Sequence, residues 1–120
     1  MIAHRLARAL GAALALAIAA AMPVDASPRD SRADCFSDEN ERRITGCTDL
    51  LAEPGLRPDE RALAYAMRAL AHSLRSRFPE ALADYDEAIR LNPDFAIALN
   101  NRAWALYKSG RGSAGLADVE

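Results

Sequence analysis

The chain has 120 residues, 51% hydrophobic and 27% charged, with 15 basic against 17 acidic side chains. That composition suits one small globular domain and excludes disorder and a collagen-like chain. A net charge of -2 with no basic block removes the electrostatic case for nucleic acid or an anionic membrane surface as partner.

Arg5 and Arg8 precede Ala9 to Met22, a charge-free run of 14 residues, and Val24-Asp25-Ala26 places small residues before Ser27. This is the pattern of a secretory signal peptide over 1–26, cleaved after Ala26 or after Ala21. Fourteen apolar residues fall short of the roughly 20 that span hydrocarbon, so no stable membrane insertion is expected once the signal is removed. Cys35 and Cys47 are the only two thiols, and an even count in a small exported domain points to a disulfide between them. A zinc site would want about four ligands, and past the signal only His72 joins the two sulfurs, so no metal or other cofactor is expected.

From Ser27 to Phe36 the chain is polar and patternless. Ile44, Cys47, Leu50 and Leu51 then recur at helical spacing until Glu53-Pro54-Gly55, which predicts a helix near 39–52 and makes 27–61 a stapled lead-in with a capping helix. Pro58-Asp59-Glu60 places a proline and two carboxylates at the start of a second helix running to about Ser76, where free N–H groups and the positive dipole end suit them. Phe78-Pro79-Glu80 repeats that start, and Ala81, Leu82, Tyr85, Ala88 and Ile89 keep one apolar face until Leu91-Asn92-Pro93. Pro93-Asp94 opens a fourth helix, continuing through Trp104 to Lys108 before Ser109-Gly110, and Ser113 to Glu120 starts a fifth. The expected class is all-α.

Sliding the sequence on itself by 34 residues matches Ala62, Ala64, Arg68, Ala69, Ala71, Arg77, Leu82, Ala83 and Asp84 with identical residues at 96, 98, 102, 103, 105, 111, 116, 117 and 118. Two helices per 34-residue unit is the helical-hairpin solenoid period. Residues 62–95 resemble a tetratricopeptide repeat, with Tyr65, Ala69, Ala81, Tyr85 and Pro93 in that family's aromatic, small, small, aromatic and proline slots and His72 replacing its usual aromatic. A second, incomplete copy begins at Ala96, with Leu99, Ala103, Leu106 and Gly110 in place and Gly115 and Val119 at weaker slots. Its closing proline would fall beyond Glu120, which points to a truncated reading frame. Together with the signal and the cysteine-containing lead-in, the chain resembles exported bacterial tetratricopeptide repeat proteins, which implies a periplasmic or secreted scaffold. Ala69, Ala81 and Ala88 are expected where two helices approach closely.

Chemistry-bearing motifs are few. Gly110 to Gly115 is a literal G-x-G-x-x-G, but a helix precedes it and no acidic residue follows about 20 positions on, so it is expected to be an inter-helix turn. His72-Ser73 lacks a nucleophile-elbow context, and adjacent helical residues point about 100° apart. Asp84, Asp86 and Glu87 spread around a helix and suit solvated surface. Arg68 and Arg102 occupy a slot where the general repeat has an aliphatic, and each has an aspartate sixteen residues on, Asp84 and Asp118. In a helical hairpin those positions share a height, so either an Arg-Asp pair forms in each repeat or the charges are separately solvated. No residue pattern marks an active site.

By packing slots, Tyr65, Ala69 and His72, then Leu99, Ala103 and Leu106, face a partner helix. A second stripe remains, Leu63, Met67, Leu70 and Leu74 in one unit and Ile97, Asn101, Trp104 and Lys108 in the next. The resemblance implies that this side, with Asn100 and Tyr107 at its edge, lines a concave groove for a protein or peptide segment. Trp104 would anchor it, Asn100 or Asn101 hold its backbone, and Lys108 favour a carboxylate. The alternatives are a leucine stripe covered by the lead-in, a structural envelope protein without a discrete ligand, or a repeat appended to a longer enzyme.

Overall fold

The computed structural model describes residues 29–111. The signal peptide expected over 1–26, the helix start expected over 113–120 and Asp118 lie outside the described residues. Within them the chain forms α1 (Ser31–Cys35), α2 (Asn40–Leu51), α3 (Pro58–Leu74), α4 (Phe78–Leu91) and α5 (Ala96–Lys108), and every regular element is a helix.

Local chemistry sets most of the boundaries. α3 begins with Pro58 in its first turn beside Asp59 and Glu60, and the Arg57 N–H donates to Glu60 Oε2 at 3.3 Å. α4 repeats the pattern with Pro79 and Glu80. α3 ends in a left-handed residue, Ser76 (φ 57°), with the Arg77 N–H donating back to the His72 carbonyl at 2.9 Å. At the end of α5 the same geometry returns with Gly110 (φ 83°) and the Arg111 N–H on the Leu106 carbonyl at 2.7 Å. All of these positions are displaced by one 34-residue period, so the repeat is one of backbone shape as well as of composition.

Two boundaries differ from the expectation. The stretch before Phe36 is not patternless in structure: Asp30 accepts from the Arg32 and Ala33 N–H groups at 3.1 Å each and starts α1. Five residues are too few to show a hydrophobic period. α5 starts at Ala96, not at Pro93, because Asn92, ahead of a proline, is extended (φ -141°, ψ 90°) and Asn92 to Phe95 close a turn, Phe95 N–H to Asn92 carbonyl at 3.1 Å.

Successive helices pack as hairpins, α1 on α2, α2 on α3, α3 on α4 and α4 on α5, while α3 also touches α1 and α5. Alternate helices therefore share a side, which is the arrangement of a helical-hairpin solenoid. The main core joins Ala66, Ala69, Ala81, Tyr85, Ala88, Ala98 and Ala105, with Tyr65, Phe78, Leu82, Ile89 and Phe95 packed around it. Tyr85 is its largest fully buried side chain, and the alanines around it let three helices approach the ring. Burying a side chain of this size is worth on the order of 2 kcal/mol.

A second cluster holds the lead-in to α3 through Cys35, Cys47, Leu50 and Ala64, flanked by Leu51, Leu56 and Met67. Cys35 and Cys47 are bridged there, both fully buried. Gly46, beside Cys47, abuts the Asp34–Cys35 backbone so closely that a Cβ would collide with main-chain atoms. A five-residue helix contributes little core of its own, and the bridge fixes it to α2 by covalent means.

Candidate functional site

Of the large apolar side chains left exposed, Leu63 and Leu74 lie on α3 and Ile97, Trp104 and Tyr107 on α5, with Phe36 at the end of α1. α2 and α4 contribute none of these, because each packs between two neighbours along the chain and its apolar stripe is consumed. The odd-numbered helices, which touch one another only lightly, thus present a shared apolar face. Leu70 is half-buried between Leu63 and Leu74 on α3, and Asn100 is exposed one turn before Trp104.

At the far end of α5 the Lys108 ammonium stands 6.0 Å from the centre of the Trp104 ring. This is within cation–π range and holds the cation beside the indole that the face exposes by 43%. Asn101 is half-buried and points instead toward the core, where its side chain and that of Ser73 are the polar groups nearest the Tyr85 hydroxyl. Burial pushes the Tyr85 phenol up, and Ser73 and Asn101 oppose that shift. Ser73 itself is 2% exposed, and neither its Oγ nor the Tyr85 hydroxyl completes a hydrogen bond. Ser73 was not legible as a site residue: a lone serine on an Ala-rich helix carries no signal until α4 and α5 are placed around it.

Met67 departs from the stripe in which the spacing put it. It packs into the α2 cluster, because α2 lies over this part of α3. The covered-stripe alternative therefore describes Met67, whereas Leu63 and Leu74 stay 37% and 55% exposed. A separate hollow between the start of α4 and the end of α5 is lined by Phe78, Pro79, Leu82, Lys108, Ser109 and Arg111, and shares only Lys108 with the apolar face.

The charges behind the face are ordered. Arg68 Nε and Nη2 donate to the two oxygens of Asp84 at 2.7 and 2.8 Å, Nη1 donates to Thr48 Oγ1 of α2 at 3.0 Å, and the guanidinium lies 5.6 Å from the Tyr65 ring centre. Asp84 is 6% exposed, so this member of the acidic cluster is not solvated surface; its hydrogen bonds raise the pKa of Arg68 further above its already high value. Asp86 and Glu87 are surface groups, paired with Arg102 at 2.7 Å and Arg90 at 2.8 Å. The Arg102 guanidinium thus reaches back to α4. His72 lies beside Asp84, with Nε2 4.0 Å from Oδ2, and burial holds its pKa below the ordinary 6.5.

Among the described residues no group of three or more His, Cys, Asp or Glu side chains is placed to hold a metal ion, and no helix is long and apolar enough to cross a membrane. Gly110 turns the chain after a helix, and Gly112 to Gly115 of the glycine motif lie outside the described residues.

Against families of known proteins, the model described as TPR (tetratricopeptide) repeat matches residues 69–110. No curated protein and no solved structure matches the chain significantly. A repeat of this kind is a protein–protein interaction module and typically a non-catalytic scaffold.

Proposed function

With residues 69–110 a tetratricopeptide repeat, we propose that the chain is an exported scaffold that binds a peptide or protein segment on the apolar face of α3 and α5. The observation that carries this reading is the concentration of exposed Leu63, Leu74, Ile97, Trp104 and Tyr107 on those two helices, when neither α2 nor α4 leaves a large apolar side chain in water. An aromatic anchor beside polar groups is the composition of a recognition surface. In it, Trp104 takes an apolar side chain of the partner, Asn100 meets its main chain, and Lys108 receives a carboxylate. Leu70 forms the floor, Tyr107 the rim, and Asn101 supports the site from below. Export is supported by the apolar run 9–22 behind Arg5 and Arg8 and by the Cys35–Cys47 bridge, which suits an oxidising compartment.

Site-specific photo-crosslinking in the producing cell tests the reading. A benzoylphenylalanine at Tyr107 is expected to trap a discrete partner that is lost on Trp104→Ala, while the same probe at Arg90, on α4, traps none. Equal adducts from both positions would defeat it. Trp104 is the only tryptophan, so its emission reports this position alone; it is expected to be red-shifted in the free protein and to respond to the trapped partner's segment, less so in Lys108→Ala.

A further inference from the structure

We propose that His72 is an acid-sensitive joint of the α3–α4 hairpin, because it competes with Arg68 for one buried carboxylate, Asp84, and loses. Both Asp84 oxygens are taken by Arg68 at 2.7 and 2.8 Å, in the forked geometry a guanidinium matches best. His72, one turn further along α3, stays 4.0 Å from Oδ2, outside hydrogen-bond range, and its Nδ1 is buried without a partner. A neutral imidazole tolerates that site at the cost of one unused acceptor. A protonated one would carry a second N–H with no acceptor and a positive charge against Arg68.

The other charges around the ring do not reverse this balance. Glu80 on α4 favours the charged ring, and Arg77 in the α3–α4 turn opposes it. From α2, Glu41 holds Arg75 and Arg77 at 2.7 and 3.2 Å, and from α5, Arg102 reaches Asp86. Burial is the largest influence and keeps the folded-state pKa below 6.5. The unfolded chain therefore binds the proton first as pH falls. Stability is complete above about pH 6.5 and declines as pH drops from there toward the folded value, by up to about tenfold in the folded-to-unfolded ratio per pH unit. Leu70 and Leu74 flank His72 on α3, so the loosened register lies at the wall of the apolar face.

Proton NMR of the imidazole Cε1–H decides it. The chain has two histidines, and His72→Gln identifies the His72 signal. Its midpoint is expected below 6.5, to rise in Arg68→Met, where Asp84 is released to the ring, and to fall further in Asp84→Asn. A wild-type midpoint at or above 6.5, or one that Arg68→Met leaves unmoved, would overturn the proposal. Urea midpoints of wild type and His72→Phe between pH 7.5 and 5.0 give a second reading that does not need the Arg68 variant to fold. Wild type is expected to lose stability faster below 6.5, and parallel curves would refute the joint.

Discussion

Ser76 and Gly110 occupy the same place in successive units, 34 residues apart, and both are left-handed, at φ 57° and 83°. The conformation costs an L-residue roughly 1 kcal/mol and costs glycine almost nothing. Ser76 is exposed, so changing it disturbs no packing. Ser76→Gly is expected to raise stability by up to about 1 kcal/mol, and Gly110→Ala to lower it by a similar amount. Urea denaturation of the two variants measures both; a destabilised Ser76→Gly would contradict the strain.

The Cys35–Cys47 bridge closes a twelve-residue separation between two short helices. Loops of this size restrict the unfolded chain by about 3 kcal/mol, which is the loss expected for the Cys35→Ser, Cys47→Ser double variant. Intact mass of the exported protein after alkylation, with and without reductant, reports the bond directly. Two alkylated thiols in the unreduced sample would remove it.

Gly46→Ala tests the approach of α1 to α2 separately from the bond. A Cβ there would meet the main chain of Asp34 and Cys35, not a flexible side chain that could give way. The variant is expected to lose at least about 2 kcal/mol, comparable to overpacking in a closed core. Full stability would mean that α1 can slide.

Arg68 and Asp84 are 21% and 9% exposed at their side chains, so their interaction is only partly screened. Removing one partner leaves the other partly buried and uncompensated. A double-mutant cycle on Arg68→Ala and Asp84→Ala is expected to return a coupling of about 1 kcal/mol or more, above the value of an exposed pair. Additive single effects would show that the pair adds nothing. Thr48→Val, which removes the third contact to the guanidinium, is expected to lower that coupling.

Ala88 is fully buried against Tyr85 in the main core. Ala88→Leu adds a branched side chain where two helices meet and is expected to cost about 1–3 kcal/mol, read by thermal or urea unfolding. A neutral outcome would mean that the helices can separate without disturbing the ring.

The helices and their order were legible because their signals are local. Proline with carboxylates at 58–60 and 79–80, small residues at 69, 81 and 88, and a 34-residue period each act within one or two turns of chain. Even the Arg68–Asp84 spacing could be read, since a hairpin of known period sets heights. What periodicity cannot supply is which neighbour covers a given face. Met67 shares the spacing of Leu63 and Leu74, yet α2 buries it and leaves the other two in water. Asn101 shares a stripe with Trp104, yet lies nearest the Tyr85 hydroxyl because α4 stands behind it. Competition for Asp84 likewise exists only once α2, α3 and α4 meet, with Thr48 taking one guanidinium nitrogen and His72 left 4.0 Å short. Sequence by itself determined the turning of each helix face; the tertiary contacts decided which faces and charges remained unpaired, because burial and charge competition depend on distances between elements far apart in the chain.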